Sequence, residues 1–206
     1  MSTCTWCGGY YEEKFGGHLS ASASLLGCCS EKCLHEYWAA NEDKERDYDS
    51  EPSEDVEWYG VYDSGRKLYG KNDYANAVKL FDVYMAYNTD NSEAYYYRGD
   101  CYRMLDQHDN AIEDFNEAIK LDPNYAIAYG SRGESYRMQN KTDKAIGDFN
   151  AAIKLDADYD FAYASRGAAY MQKGQKKQAV NDLEKAVNLN PNNTWAVNEL
   201  AKARKM

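Results

Sequence analysis

Small and aromatic residues recur along this chain at a fixed interval of 34 residues between positions 58 and 191. Within each interval the apolar positions are three or four residues apart, which is the spacing of one face of an α-helix. Each interval holds two such stripes, so the pattern predicts four units of two amphipathic helices each. The columns in register are Gly65, Gly99, Gly133 and Gly167, then Ala77, Ala111, Ala145 and Ala179, then Phe81, Phe115, Phe149 and Leu183.

A turn is predicted between the two helices of every unit. Asn, Asp and Gly adopt the left-handed conformation that ends a helix more easily than other residues do. Residues of these types stand at the equivalent place in all four units, at Asn72, Asp106, Asn140 and Gly174. Each unit is therefore predicted to be a helix hairpin, and the four units span residues 58–91, 92–125, 126–159 and 160–193.

A shorter amphipathic segment, residues 194–206, follows the fourth unit. Val197, Leu200 and Ala201 have the spacing of a buried helix face, and the basic residues that follow suit a helix C-terminus. Because an array of repeats needs an end that tolerates solvent, we expect this segment to be a capping helix.

The repeating residues resemble the tetratricopeptide repeat (TPR) family over residues 58–191. The family pattern asks for Gly or Ala, Tyr, Ala, Phe, Ala and Pro at fixed offsets, and the second unit supplies Gly99, Tyr102, Ala111, Phe115, Ala118 and Pro123. The resemblance implies an all-α fold in which helix hairpins form a right-handed superhelical array.

The resemblance also implies a function. In this family the first helix of each unit lines a concave groove, which receives a peptide or a helix of a partner protein. Aromatic residues and Arg are common anchors of protein interfaces. The groove residues that we expect to bind a partner are Tyr59, Tyr62, Arg66, Tyr69, Tyr96, Asp100, Arg103, Glu134, Arg137, Phe161 and Met171.

One familiar ligand of the family is disfavoured by the residues present. TPR domains that hold the C-terminal carboxylate of chaperones use a Lys and an Asn as a clamp. At the corresponding positions this chain has Tyr62, Arg66 and Tyr97. We therefore expect the groove to receive something other than a chaperone tail.

A further regularity joins Arg and Asp residues. In three units an Arg precedes an Asp by 16 residues, whereas the first unit has neither residue at these places. We expect structural ion pairs between helices, either within one unit or from one unit to the next. The residues are Arg98, Arg132 and Arg166 with Asp114, Asp148 and Asp182.

Residues 1–40 contain five of the six cysteines, and two pairs of them have metal-ligand spacing. Cys4 and Cys7 form one pair and Cys29 and Cys33 the other, so four thiolates can surround one tetrahedral zinc ion. The segment resembles treble-clef zinc fingers, which implies a small α+β knuckle with structural zinc. Cys28, His18 and His35 are alternative ligands.

Acidic residues are concentrated between this segment and the repeats. Residues 41–57 contain nine acidic and two basic side chains without periodic apolar positions, so we expect a solvated linker. The formal net charge of the chain is −10, and no section is net positive, which argues against nucleic acid as the main partner. No segment resembles a signal peptide or a membrane span, so we expect a cytoplasmic protein without a membrane partner.

The leading functional hypothesis is a non-enzymatic scaffold or adaptor that binds a protein or peptide. The sequence contains no recognisable nucleophile–base arrangement and no glycine loop that binds phosphate. One alternative is a zinc-finger reader of a ubiquitin-like protein or of nucleic acid, tethered to the repeats. A less favoured alternative is an accessory subunit of an enzyme. The pattern indicates neither a particular partner nor an oligomeric state.

The zinc hypothesis makes a direct prediction. The purified chain is expected to contain about one zinc ion per molecule, because four thiolates fill a tetrahedral site. A variant with Cys4→Ser and Cys29→Ser is expected to contain almost none. Elemental analysis of freshly reduced protein measures both values, and a parent protein without metal would contradict the zinc finger.

Overall fold

The computed structural model describes Ser2–Thr3, Tyr10–Tyr11 and residues 54–206, with side chains described from residue 60 onward. The chain forms two compact units, Met1–Thr89 and Asp90–Met206. In the first unit, strands β1 (Ser2–Thr3) and β2 (Tyr10–Tyr11) pair in antiparallel fashion, with Ser2 opposite Tyr11. The predicted zinc ligands Cys4, Cys7, Cys29 and Cys33 lie outside the described residues, so the zinc finger stays a prediction.

The first unit also contains a helix hairpin, made of α1 (Glu54–Gly70) and α2 (Tyr74–Met85). Helix α1 begins inside the segment predicted to be an acidic linker. Acidic residue types are favourable in the first turn of a helix because of the helix dipole, and the sequence has Glu and Asp at 54 and 55. Val61 of α1 packs in a buried cluster with Leu80 and Val83 of α2.

The second unit consists of three further hairpins and one final helix. The turns predicted for all four hairpins, including the one in the first unit, are confirmed. Asn72, Asp106, Asn140 and Gly174 all have positive φ, between 58° and 70°. The helices are α3 (Ser92–Met104), α4 (His108–Leu121), α5 (Ala126–Met138), α6 (Thr142–Leu155), α7 (Asp160–Gln172), α8 (Lys176–Leu189) and α9 (Thr194–Lys205). No helix within residues 54–206 has the length and apolar character needed to cross a membrane.

A glycine in the first helix of each hairpin lies directly against a large side chain from the second helix. A Cβ atom added at Gly133 would lie 2.8 Å from Cε1 of Phe149 and 3.1 Å from Cβ of Asp148. At Gly167 it would lie 2.7 Å from Cγ of Leu183. Because Phe149 and Leu183 are fully buried, they have no free space into which to move. The absence of a side chain at these positions therefore sets how closely the two helices pack.

The predicted Arg–Asp ion pairs form within single repeats. Nε of Arg132 donates to Oδ2 of Asp148 at 2.8 Å, and Nη2 donates to Oδ1 at 2.7 Å. The remaining Nη1 donates at 2.7 Å to Asn116 of the preceding repeat. Arg166 repeats this arrangement with Asp182 and Asn150. Each of these two arginines thus joins the two helices of its own hairpin and also the hairpin before it.

Side chains at the turns add a second connection between successive repeats. Gln139 donates to Asp109 at 2.8 Å. One repeat further on, Lys173 forms an ion pair with Asp143. Both contacts join residues 30 apart in the chain, so the 34-residue period also fixes where neighbouring hairpins touch.

The capping helix α9 is present, but two of its three predicted core residues are exposed. Val197 and Ala201 face solvent, whereas Leu200 is buried together with Ala196 and Ala203. Ala196 is the counterpart, at 34-residue intervals, of the fully buried Ala128 and Ala162. The register of the repeat, rather than the size of the apolar side chains, determines which face of α9 packs on the array.

The close approach at Gly133 can be tested against a matched glycine in the same hairpin. Gly133→Ala is expected to lower the free energy of unfolding by about 1–2 kcal/mol, because the added methyl group displaces a packed ring. Gly147→Ala is expected to raise it by about 0.5–1 kcal/mol, because a methyl group there meets open space. Urea unfolding of both variants measures the difference, and equal effects would contradict the packing described.

Candidate partner-binding surface

The first helices of successive repeats lie side by side in the second unit, with α3 against α5, α5 against α7 and α7 against α9. Two of them carry an ion pair between residues three apart, which places both side chains on one helix face. On α3, Nε of Arg103 donates to Asp100 at 2.7 Å. On α5, Arg137 donates to both carboxylate oxygens of Glu134, at 2.6 and 2.8 Å.

Charges also act from one of these helices to the next. Burial opposes the charge of Arg103, but Asp100 and, more weakly, Glu134 of the next repeat outweigh burial and raise its pKa. The hydrogen bond to Glu134 is the main cause of the raised pKa of Arg137, and the charge of Glu199 on α9 adds to it. We name this alternating series Asp100, Arg103, Glu134, Arg137 and Glu199 the charge ladder.

The ladder is largely shielded from solvent. The side chain of Asp100 is 3% exposed and that of Arg137 is 15% exposed. Ionic hydrogen bonds are stronger when water is excluded, and a charge without its partner is then costly. The ladder is therefore a fixed part of this surface.

Tyr159, at the end of the third repeat, covers the backbone of α5 beside the ladder. A Cβ atom added at Gly130 would lie 2.8 Å from Cε1 of Tyr159, so the ring rests directly on the backbone of α5. Burial raises the pKa of Tyr159, the charges of Asp100 and Asp160 raise it further, and Arg103 opposes them. The hydroxyl group of a tyrosine is protonated at physiological pH in any case, and these effects hold that of Tyr159 further from ionisation. In the second repeat, Tyr125 contacts the ring of Tyr96 at 5.2 Å.

Apolar side chains border the ladder on both sides. On one side, Phe161 contacts Tyr159 with 5.7 Å between ring centroids. Ile127 and Trp195, which occupy the position of Phe161 on α5 and α9, are 43% and 38% exposed. On the other side, Arg103 and Arg137 donate to the sulfur atoms of exposed methionines. We name Ile127, Phe161 and Trp195 the aromatic edge, and Met104 and Met138 the methionine edge.

Six of the predicted binding residues lie on or against this surface: Tyr96, Asp100, Arg103, Glu134, Arg137 and Phe161. Met171 is half-buried and packs on the core formed by α7, α8 and α9. Further residues of this surface are not among those predicted: Glu199, Tyr125, Tyr159, Trp195, Met104 and Met138. Tyr125 and Tyr159 are one repeat apart at the end of their units, and this register is a signal that the sequence offered.

The other predicted residues belong to α1 in the first unit. The side chain of Tyr59 lies outside the described residues. Tyr62 is only 6% exposed, because it packs against Phe81 and Tyr84, so it presents little surface to a partner. Arg66 is exposed and lies over the ring of Tyr62, and Tyr69 packs edge-to-face on Tyr74. Partner binding by these residues stays a prediction.

Comparison with sequence profiles of protein families decides the family. The tetratricopeptide repeat profile matches residues 92–125 and 161–193, a second TPR repeat profile matches residues 133–174, and a third matches residues 115–147. The chain belongs to the tetratricopeptide repeat family. The fourfold helix hairpin and its left-handed turns are those of TPR units. A comparison with curated proteins finds no match.

Solved TPR structures resemble the chain as well. The first TPR of Spaghetti (RPAP3), bound to the HSP90 peptide SRMEEVD, is 30% identical with a TM-score of 0.54, over 55% of this chain and 90% of that one. The second TPR domain of human RPAP3, in complex with the HSP70 peptide SGPTIEEVD, is 30% identical with a TM-score of 0.52, over 56% and 100%. MamA is 25% identical with a TM-score of 0.63, over 72% and 81%.

The ladder of these TPR units makes a stability prediction. Arg137→Ala is expected to lower the free energy of unfolding by about 1–3 kcal/mol, because Glu134 loses a buried ionic partner. Arg204→Ala is the matched control, since Arg204 pairs with Glu184 at an exposed site, and its effect is expected within about 0.5 kcal/mol. Urea unfolding measures both, and an Arg137→Ala effect as small as the control's would contradict a fixed ladder.

Proposed function

We propose that this chain is a non-enzymatic protein-interaction scaffold, and that the surface formed by α3, α5, α7 and α9 binds a segment of a partner protein. The observation that carries the proposal is the set of apolar side chains beside the charge ladder, of which Phe161 is half-buried and the others are exposed: Ile127, Trp195, Met104 and Met138. Apolar side chains that remain exposed next to each other on a folded surface are typical of interaction sites. The solved RPAP3 domains, which are similar to this chain, hold peptides.

The composition of the surface suits this role. Trp, Tyr, Phe, Met and Arg are enriched in protein interfaces, and all five residue types are present here. Phe161 and Trp195 offer large rings that lose little conformational freedom on binding, whereas Met104 and Met138 adapt their shape. The rings are therefore expected to supply anchors for the partner, and the methionines to fill the remaining gaps.

The helices that form this surface are held in place before a partner binds. The ladder and the Arg132 and Arg166 networks hold neighbouring helices in register, so little order has to be created when a partner binds. A surface that is already arranged for binding keeps more of its interaction free energy as affinity. We expect the partner to bind across several repeats at once.

Site-specific photo-crosslinking tests the proposal in the full chain. A photoreactive phenylalanine at Ile127 is expected to form partner adducts at least about tenfold more often than one at Glu113, an exposed residue of α4. Both proteins are exposed to the same cell extract, and mass spectrometry counts the adducts. Adding Phe161→Ala to the Ile127 probe is expected to remove most of them. Equal adducts from Ile127 and Glu113 would contradict binding on this surface.

A further inference from the structure

We infer that this surface selects a partner segment that is apolar and lacks clustered carboxylates. The inference rests on the proposed function and specifies the chemistry of its ligand. Three properties of the described surface support it: the arginines already have carboxylate partners, the ladder has no surplus of positive charge, and its two borders are apolar.

The arginines of the ladder are occupied. Glu134 holds Arg137 with two short hydrogen bonds, and Asp100 holds Arg103 with one. A carboxylate on an incoming peptide can take the Nε–Nη2 edge of Arg137, or Nε of Arg103, only by displacing the resident acid. Because Asp100 and Glu134 are shielded from water, neither can replace the lost ion pair with hydration.

The ladder also has no surplus of positive charge that would attract an acidic ligand. Its five members carry three carboxylates and two guanidinium groups, and Lys202, which pairs with Glu199 at 2.6 Å, brings acids and bases to three each. The adjacent Tyr159 adds no positive charge, because a tyrosine is neutral at physiological pH and burial raises the pKa of this one further. Clustered carboxylates on a peptide would thus meet fixed acids at close range, and repulsion between like charges at an interface is costly.

The borders of the ladder favour apolar side chains. The aromatic edge and the methionine edge lie on opposite sides, and Ile127, Met104 and Met138 are each more than 40% exposed. A segment that places apolar side chains on both edges removes this area from water. It can cross the ladder without breaking any of the ion pairs.

Peptide display on the full chain tests the inference. Phage carrying random 12-residue peptides, with no free peptide C-terminus, are selected on immobilised protein. Selected peptides are expected to be enriched in Leu, Ile, Phe, Met and Trp, with Asp and Glu reduced at least about threefold relative to the starting library. Counter-selection on a Phe161→Ala, Trp195→Ala variant keeps only the peptides that need the aromatic edge.

The outcomes of the display separate this inference from the proposed function. Selection of Asp- and Glu-rich peptides that require the aromatic edge would overturn the inference and leave peptide binding intact. Selection of no peptide at all, or only of peptides that bind the variant equally well, would overturn the proposed function and this inference with it.

A variant that gains affinity for an acidic peptide provides a second, independent test. The acidic peptide SRMEEVD, labelled with a fluorophore, serves as the probe in an anisotropy titration. The double substitution Glu134→Gln, Glu199→Gln releases Arg137 from its acids. The affinity of this double variant for the probe is therefore expected to be at least about tenfold higher than that of the parent chain. Adding Arg137→Gln is expected to remove the gain. Tight binding of the probe by the parent, or no gain in the folded double variant, would overturn the inference.

Discussion

The whole array depends on one close contact, repeated every 34 residues: the backbone of one helix against a large apolar side chain of the next. Where Gly99, Gly133 and Gly167 stand, any side chain would occupy the space of Phe115, Phe149 or Leu183. This contact sets the distance between the two helices of a hairpin. Because it recurs in the same register, it also sets the positions from which the first helices of successive repeats can touch.

Polar interactions act on this framework in two ways. Arg132 and Arg166 connect the two helices of a hairpin and reach an asparagine of the preceding repeat, so they stabilise the order of the repeats. Arg103 and Arg137 instead satisfy acids on the first helices and leave the surrounding apolar side chains exposed. The same residue type thus supports the core at one position and shapes the candidate binding surface at another.

Periodicity carried most of the fold prediction, because each contact of the core recurs in the printed sequence. The hairpins, their left-handed turns and the pairing of Arg with Asp could be predicted from columns 34 residues apart, but those columns left open whether each pair lies within one repeat or between two. The exposed side of α9 could not be predicted from apolar spacing alone. Val197 is larger than Ala196, but the register of the repeat assigns the buried position to Ala196.

The site was harder to predict because it depends on contacts between repeats. Tyr159 can lie on α5 only because Gly130 has no side chain, and this relation joins two different columns of the repeat. The charge of Glu199 on α9 raises the pKa of Arg137 on α5, and these two residues belong to different repeats. Tyr62 has the residue type of an interface anchor, yet its neighbours Phe81 and Tyr84 bury it in the core.

We propose that partners bind on the face formed by the first helices of the unit Asp90–Met206. Hydrogen–deuterium exchange of the full chain, with and without a bound partner segment, tests it most directly. A bound partner is expected to slow exchange in α3, α5, α7 and α9 and to leave exchange in α4, α6 and α8 nearly unchanged. Protection confined to α4, α6 and α8 would contradict it.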